Sequence, residues 1–105
     1  MFKVRKRVTS HPGEVLRMIM EEHGITQLVL AKSLSVTQTK ISQICRGKLG
    51  LSAEMAMKLE RSLGMKASLW LGVQKNWELS QVSEVKLKKV KLLKNINKLE
   101  GKIAA

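Results

Sequence analysis

Apolar residues in the middle of the chain recur at spacings of three and four, with polar residues between them. This spacing is typical of amphipathic helices, because side chains three or four positions apart share one helix face. The pattern predicts two short helices over residues 26–34 and 37–46, with Ser35 and Val36 in the turn between them. Their apolar faces carry Leu30, Ala31 and Leu34 in the first helix and Ile41, Ile44 and Cys45 in the second.

The polar face of the second helix carries amides, hydroxyls and a lysine but no acidic residue. Such groups bind base edges and phosphates, whereas a helix that only faces solvent often pairs Glu with Lys. The pair therefore predicts a helix-turn-helix whose second helix enters the DNA major groove. The candidate base-reading residues are Gln38, Thr39, Lys40 and Gln43, with Lys40 equally suited to a phosphate. The candidate phosphate-binding residues are Ser42, Arg46 and Lys48, with Ser42 equally suited to a base.

Boundary signals extend this pair to a five-helix unit. Proline suits the first position of a helix, Ser and Thr suit the N-cap, and glycine commonly follows the last turn. The predicted boundaries are Pro12 and Gly24 for the first helix, Thr37 and Gly47 for the third, Ser52 and Gly64 for the fourth, and Ser68 for the start of the fifth. The sequence thus predicts an all-α fold.

The fifth predicted helix carries the largest apolar side chains of the chain, since Trp70, Val73 and Trp77 share one face. Large apolar residues late in a small domain either complete its core or form an interface. We expect one tryptophan in the core and the other near a subunit boundary. The candidates for a dimer or partner interface are Leu69, Trp70 and Trp77.

The chain has 105 residues, enough for one small domain, and a net charge of +12 that is concentrated at its two ends. Residues 1–10 carry +4, residues 11–82 carry +3 and residues 83–105 carry +5. We therefore divide the chain into a basic N-terminal arm (1–10), a helix-turn-helix domain (11–82) and a lysine-rich C-terminal extension (83–105). Basic ends suit a polyanion such as DNA, and the alternative is that they only confer solubility.

The two ends have less definite patterns. The pattern of the arm is compatible with a short strand or with disorder. Its role is either to reach DNA or to be no more than a solvated terminus. The extension predicts a basic amphipathic helix that is partly ordered, although Val85-Lys86-Leu87-Lys88 alternates like a strand and a flexible tail is an equal alternative. Its partner would be DNA phosphate, another protein or a sister subunit.

Several other classes of function are not indicated. One cysteine, Cys45, cannot form an internal disulfide, and together with His11 and His23 it provides no clustered metal-ligand set. No catalytic constellation appears, so we expect a non-enzyme without a cofactor. No apolar run is long enough to span a membrane, and the basic start is not followed by the apolar stretch of a signal peptide. A cytoplasmic location is expected.

Particular motifs resemble a known family. The motifs Gln27-x-x-x-Ala31, Val36-Thr37-Gln38, Ile41-Ser42 and Arg46-Gly47-Lys48 resemble the phage-repressor type of helix-turn-helix. Three further segments resemble the HigA-type antitoxins, also called the virulence-associated protein I group: His11-Pro12-Gly13-Glu14-Val15-Leu16, Leu51-Ser52-Ala53-Glu54-Met55-Ala56 and Leu69-Trp70-Leu71. The resemblance covers residues 11–82, and both basic ends lie outside it.

The resemblance implies a homodimer that binds double-stranded DNA at a near-palindromic operator in its own promoter. It also implies neutralisation of a HigB-like toxin, a ribonuclease that cuts mRNA. Gln27 would hold a phosphate, which agrees with its place at a helix N-terminus. Two alternatives stay open: a phage-type transcriptional regulator without a toxin partner, and a protein-interaction module that has lost DNA binding.

Overall fold

The computed structural model describes residues 10–103, so only Ser10 of the predicted basic arm falls within it. Every regular element in this range is helical. The main helices are α1 (Pro12–His23), α2 (Gln27–Leu34), α3 (Gln38–Cys45), α4 (Ala53–Leu63) and α5 (Ala67–Ser80). Three short pieces follow: α6 (Glu84–Leu87), a 3-10 turn (Asn97–Leu99) and α7 (Glu100–Ile103). The predicted all-α fold with five main helices is confirmed.

Hydroxyl caps begin three of the main helices. The hydroxyl groups of Thr26, Thr37 and Ser52 each accept a hydrogen bond from the backbone N–H three residues later, at 3.1 to 3.2 Å. The predicted caps at Thr37 and Ser52 are confirmed. Each cap satisfies a backbone donor that has no partner inside its helix, and such a bond typically contributes about 1 kcal/mol.

The turn between α2 and α3 is closed by the backbone. Ser35 adopts a left-handed conformation with φ of 57°, and the Val36 N–H donates to the Ala31 carbonyl at 3.0 Å. This hydrogen bond caps the C-terminal end of α2, and α3 begins two residues after Val36. The turn predicted at Ser35 and Val36 is confirmed.

The start of α1 is capped by an imidazole. Nδ1 of His11 accepts a hydrogen bond from the Gly13 N–H at 2.9 Å, and Pro12 occupies the first helical position. An accepting Nδ1 carries no proton, so the neutral ring has its hydrogen on Nε2. Burial lowers the pKa of His11 below its ordinary value, and the nearby charge of Glu14 opposes this shift only in part.

One apolar core joins the five helices. α2 packs on α3 and on α4, α4 packs on α5, and α1 contacts both α3 and α5. The buried apolar residues are Leu16, Met20, Leu30, Ala31, Leu34, Ile41, Ile44, Cys45, Leu51, Met55, Ala56, Leu59 and Trp70. Both predicted apolar faces of α2 and α3 lie in this core.

The structure corrects two expectations for α5. The helix begins at Ala67 rather than Ser68, because a carboxylate oxygen of Glu60 in α4 accepts a hydrogen bond from the Ala67 N–H at 2.7 Å. Trp70 is 0% exposed and belongs to the core, so it is not available to a dimer or partner interface. Leu69 is 52% exposed and Trp77 is half-buried, so both can still contact a partner.

The C-terminal extension, for which a partly ordered amphipathic helix and a flexible tail were the alternatives, forms no single continuous helix within the described residues. Residues 83–98 are exposed, and residues 90–96 have no regular structure between the short pieces α6 and the 3-10 turn. The physical reason is that a helix here would place lysines near one another without burying its apolar stripe on the domain.

None of the helices within residues 10–103 is both long and apolar enough to cross a membrane.

Candidate nucleic-acid interface

The start of α1 supports the end of α3 from behind. The two backbones approach so closely that a Cβ atom added at Gly13 would lie 1.8 Å from the carbonyl oxygen of Ile44. α3 also packs on α2. Ile41, Ile44 and Cys45 point into the core and fix the rotation of α3 about its axis.

The outward face of α3 is polar, as predicted. Thr39, Gln43 and Arg46 follow the i, i+4, i+7 spacing and lie opposite the buried face. Gln38 and Lys40 are exposed on the two flanks, in the first turn of the helix. A helix of 8 residues is about 12 Å long, which matches the width of the DNA major groove. Of the candidate base-reading residues, Gln38, Thr39 and Lys40 are therefore exposed and Gln43 is half-buried on the face that can enter a groove.

The candidate phosphate-binding residues surround this face. Gln27 is the first residue of α2 and is half-buried, where unpaired backbone N–H groups suit an anion. Ser42 is half-buried on α3. Arg46 and Lys48 are exposed just beyond the end of α3, in the loop that leads to α4.

That loop is held to α5 by a buried amide. The side chain of Gln74 is 4% exposed, and its Oε1 accepts a hydrogen bond from the Leu51 N–H at 2.7 Å. Its Nε2 donates to a carboxylate oxygen of Glu78 at 2.8 Å. The amide packs so tightly on the loop that a Cβ atom at Gly50 would lie 2.8 Å from Nε2. Gln74 therefore determines the path of the loop that carries Lys48.

The electrostatic character of the interface follows from the placement of acidic residues. The segment 25–53, which contains α2 and α3, has four basic residues and no acidic one. The rest of residues 11–82 has five basic against six acidic residues. The net positive charge of the domain is thus confined to the segment that presents the polar face. A positive surface at this place would attract a polyanion such as DNA.

Cys45 and the histidines take structural positions. Burial raises the pKa of the Cys45 thiol, with Arg17 acting in the opposite direction, and the side chain is 4% exposed in the core. The ring of His11 meets that of Trp77 edge to face, with centroids 4.8 Å apart. Within the described part of the chain, no three His, Cys or Glu side chains are grouped as metal ligands.

Three supporting residues were not identified from the sequence. His11 could have been recognised, because a capping residue directly before Pro12 is a local signal. Gly13 and Gln74 could not be recognised from the sequence. Ile44, which packs on Gly13, lies 31 positions later in the chain, and Leu51, which donates to Gln74, lies 23 positions earlier. Only the folded chain brings these pairs together.

Two short helices joined by a tight turn, with the second helix exposing an acid-free polar face, define the class of helix-turn-helix proteins. A family model described as helix-turn-helix matches residues 16–70. Virulence-associated protein A' of Dichelobacter nodosus is 37% identical over 90 residues, which cover 85% of this chain and 78% of that protein. Antitoxin HigA-1 of Vibrio cholerae is 35% identical over 75 residues, which cover 70% of each chain.

A solved structure supports the same relationship. The structure of antitoxin HigA of Pseudomonas aeruginosa with the higBA promoter superposes with a TM-score of 0.72 and 29% identity. The match covers 85% of this chain and 98% of that one. The chain belongs to the helix-turn-helix family that includes the virulence-associated proteins and the HigA antitoxins. The predicted family is confirmed.

Proposed function

We propose that this chain is a homodimeric antitoxin that represses its own promoter and neutralises a HigB-like, mRNA-cleaving toxin. The observation that carries the DNA-binding part is the outward face of α3, which is polar, free of acid and held in place from behind. The toxin partner is inferred from the relatives, because HigA antitoxins are among them.

In this proposal α3 lies in the major groove. Gln38, Thr39, Lys40 and Gln43 contact base edges, and Gln27, Ser42, Arg46 and Lys48 contact phosphates. A two-fold dimer places two copies of α3 about 34 Å apart on a near-palindrome. The exposed Leu69 and half-buried Trp77 of α5 are candidates for the surface between subunits or toward the toxin.

The DNA-binding part is tested on the DNA upstream of this chain's own gene. Gln38→Ala should weaken operator binding by about 1–3 kcal/mol and relax discrimination at one base pair. Gln81→Ala is the matched control, because Gln81 is an exposed glutamine at the end of α5, away from α3. Unchanged affinity and discrimination in Gln38→Ala would remove this residue from the set that contacts bases.

The antitoxin part is tested with the product of the neighbouring reading frame. Purified alone, that product should cut mRNA, and an equimolar amount of this chain should stop the cleavage. Specific operator binding without any effect on an adjacent ribonuclease would indicate a phage-type regulator instead. Absence of specific DNA binding at physiological salt, combined with partner binding, would indicate a protein-interaction module.

A further inference from the structure

The outer side of α4 carries a second stripe of residues, opposite the residues that this helix buries in the core. Its members follow the i, i+3, i+4, i+7 spacing of one helix face: Glu54, Met57, Lys58 and Arg61. The same four side chains line a cleft of about 370 Å³. Met57 is 66% exposed and is the large apolar side chain that α4 leaves exposed. The stripe therefore combines an apolar centre with charges of both signs.

The order of the charges along this stripe is self-complementary. Glu54 begins the stripe, Arg61 ends it, and Met57 and Lys58 lie midway between them. The two ends are about 10.5 Å apart along the helix axis, since they are seven residues apart. If a second α4 lies antiparallel across the stripe, a two-fold axis at its midpoint places Glu54 of each helix opposite Arg61 of the other. The same contact then occurs twice, as an isologous interface requires.

The middle of the stripe fits the same arrangement. Met57 meets Met57 of the second copy beside the two-fold axis, so two apolar side chains that are exposed in one chain cover each other. Lys58 also comes near its own copy. Its Nζ lies 3.4 Å from a carboxylate oxygen of Glu54 in the same helix, and this negative charge offsets the repulsion between the two lysines.

We propose that the α4 stripe is the surface through which two copies of this chain associate, antiparallel and about a two-fold axis. The inference rests on the proposed homodimer and gives it a contact surface. A helix of 11 residues is about 16 Å long, so this contact buries less area than a stable complex needs. Free copies therefore associate weakly, and adjacent half-sites on DNA raise their effective concentration. Leu69 and Trp77 of α5 are then left for the toxin.

The first test reverses the charges at the two ends of the stripe. Glu54→Lys places like charges opposite each other at both ends of the contact, so the dissociation constant of the dimer should rise about 10- to 100-fold. Arg61→Glu should have the same effect. The double variant Glu54→Lys/Arg61→Glu restores opposite charges and should return the dissociation constant to within about 3-fold of the unaltered protein. Sedimentation equilibrium at low salt, where screening is weak, measures these constants.

The rescue separates an interface from an effect on folding. Within a single helix the double variant is the less favourable one, because it places a cation in the first turn and an anion in the last. Its fold should therefore be less stable than that of either single variant, whereas its association should be tighter. Glu22→Lys is the control, since it reverses the charge of an exposed residue on α1 and should associate normally. A double variant that associates as weakly as the single variants would refute the pairing of Glu54 with Arg61.

The second test uses a disulfide cross-link at the centre of the stripe. Met57→Cys brings two thiols together beside the two-fold axis, so mild oxidation should give a covalent dimer on non-reducing electrophoresis. Met18→Cys is the matched control, because Met18 on α1 is also 66% exposed. Cys45 is 4% exposed in the core and is common to both variants. Equal cross-linking of the two variants would refute the proximity of the two Met57 side chains.

The outcomes also separate the inference from the function on which it rests. A normal dissociation constant in both single charge variants would refute the α4 contact, while the homodimer and its operator binding would stand. Normal association with lost toxin neutralisation would assign the stripe to the toxin and also refute the contact. An unaltered protein that is monomeric both when free and on its operator would refute the proposed homodimer itself.

Discussion

Replacing Gly13 by alanine tests how α3 is held. Alanine normally stabilises a helix relative to glycine by about 0.5–1 kcal/mol, so an ordinary helical glycine gains stability from this change. Gly13 is different, because a Cβ atom there would lie 1.8 Å from the Ile44 carbonyl oxygen and 3.0 Å from Nδ1 of His11. Real Cβ contacts stay beyond 3.0 Å, so α1 and α3 must move apart by at least 1.2 Å.

The magnitude follows from these contacts. Forcing an extra carbon into a close-packed contact costs about 1–3 kcal/mol, and disturbing the His11 cap adds about 1 kcal/mol. The better helix propensity of alanine offsets only part of this cost. We expect Gly13→Ala to lower the free energy of unfolding by about 2–3 kcal/mol.

The control is Gly72→Ala in the interior of α5. Gly72 is exposed, and a Cβ atom there would meet nothing within 4 Å. This substitution should raise the free energy of unfolding by about 0.5–1 kcal/mol, as helix propensity alone predicts. The same chemical change therefore has opposite signs at two helical positions.

The assay is urea denaturation at one fixed protomer concentration, followed by tryptophan fluorescence, because Trp70 is buried in the core. The midpoint should fall for Gly13→Ala and rise for Gly72→Ala, with similar slopes. An unfolding free energy for Gly13→Ala equal to or above that of the unaltered protein would refute the close approach of α1 to α3.

Two further substitutions test the supports of the interface. Gln74→Leu leaves the Leu51 N–H without its acceptor and should lower the free energy of unfolding by about 1–3 kcal/mol. It should also weaken operator binding measured by fluorescence anisotropy. The control Gln81→Leu changes an exposed side chain and should alter neither quantity. Because burial lowers the folded-state pKa of His11, the unfolded chain takes up a proton first, and stability is lost as pH falls below about 6.5. His11→Asn keeps a capping acceptor but does not titrate, so it should reduce this loss of stability in urea titrations from pH 7 to 5. An identical pH dependence in the variant and the unaltered protein would contradict a neutral, capping His11.

Predictions that depended on neighbouring residues were the ones confirmed. Thr37 and Ser52 cap their helices through bonds to residues only three positions away, so the signal lies wholly within a short segment. The turn at Ser35 and Val36 is likewise closed by the adjacent end of α2. Periodicity was sufficient for the apolar faces, because a helix that buries one stripe repeats it every three to four residues.

Details that depended on distant partners were less well determined by the sequence. The start of α5 is set by the carboxylate of Glu60, which belongs to another helix. Periodicity placed Trp70 and Trp77 on one face, and the expectation of one tryptophan in the core is confirmed by Trp70. Periodicity could not show which of the two is buried, so Trp70 was also named as an interface candidate. The apolar stripe of the extension left a partly ordered helix and a flexible tail as alternatives, because such a stripe stabilises a helix only when a surface is present to bury it.

The sequence by itself determined the five helices, the caps at Thr37 and Ser52, and the acid-free polar face of α3, because each depends on residue types at short, regular spacing. Tertiary structure decided how that face is held and what surrounds it. The contact of Gly13 with Ile44 and the hydrogen bond from the Leu51 N–H to Gln74 join residues far apart in the chain. Close approach and buried hydrogen bonding are properties of packed helices, and no local pattern specifies them.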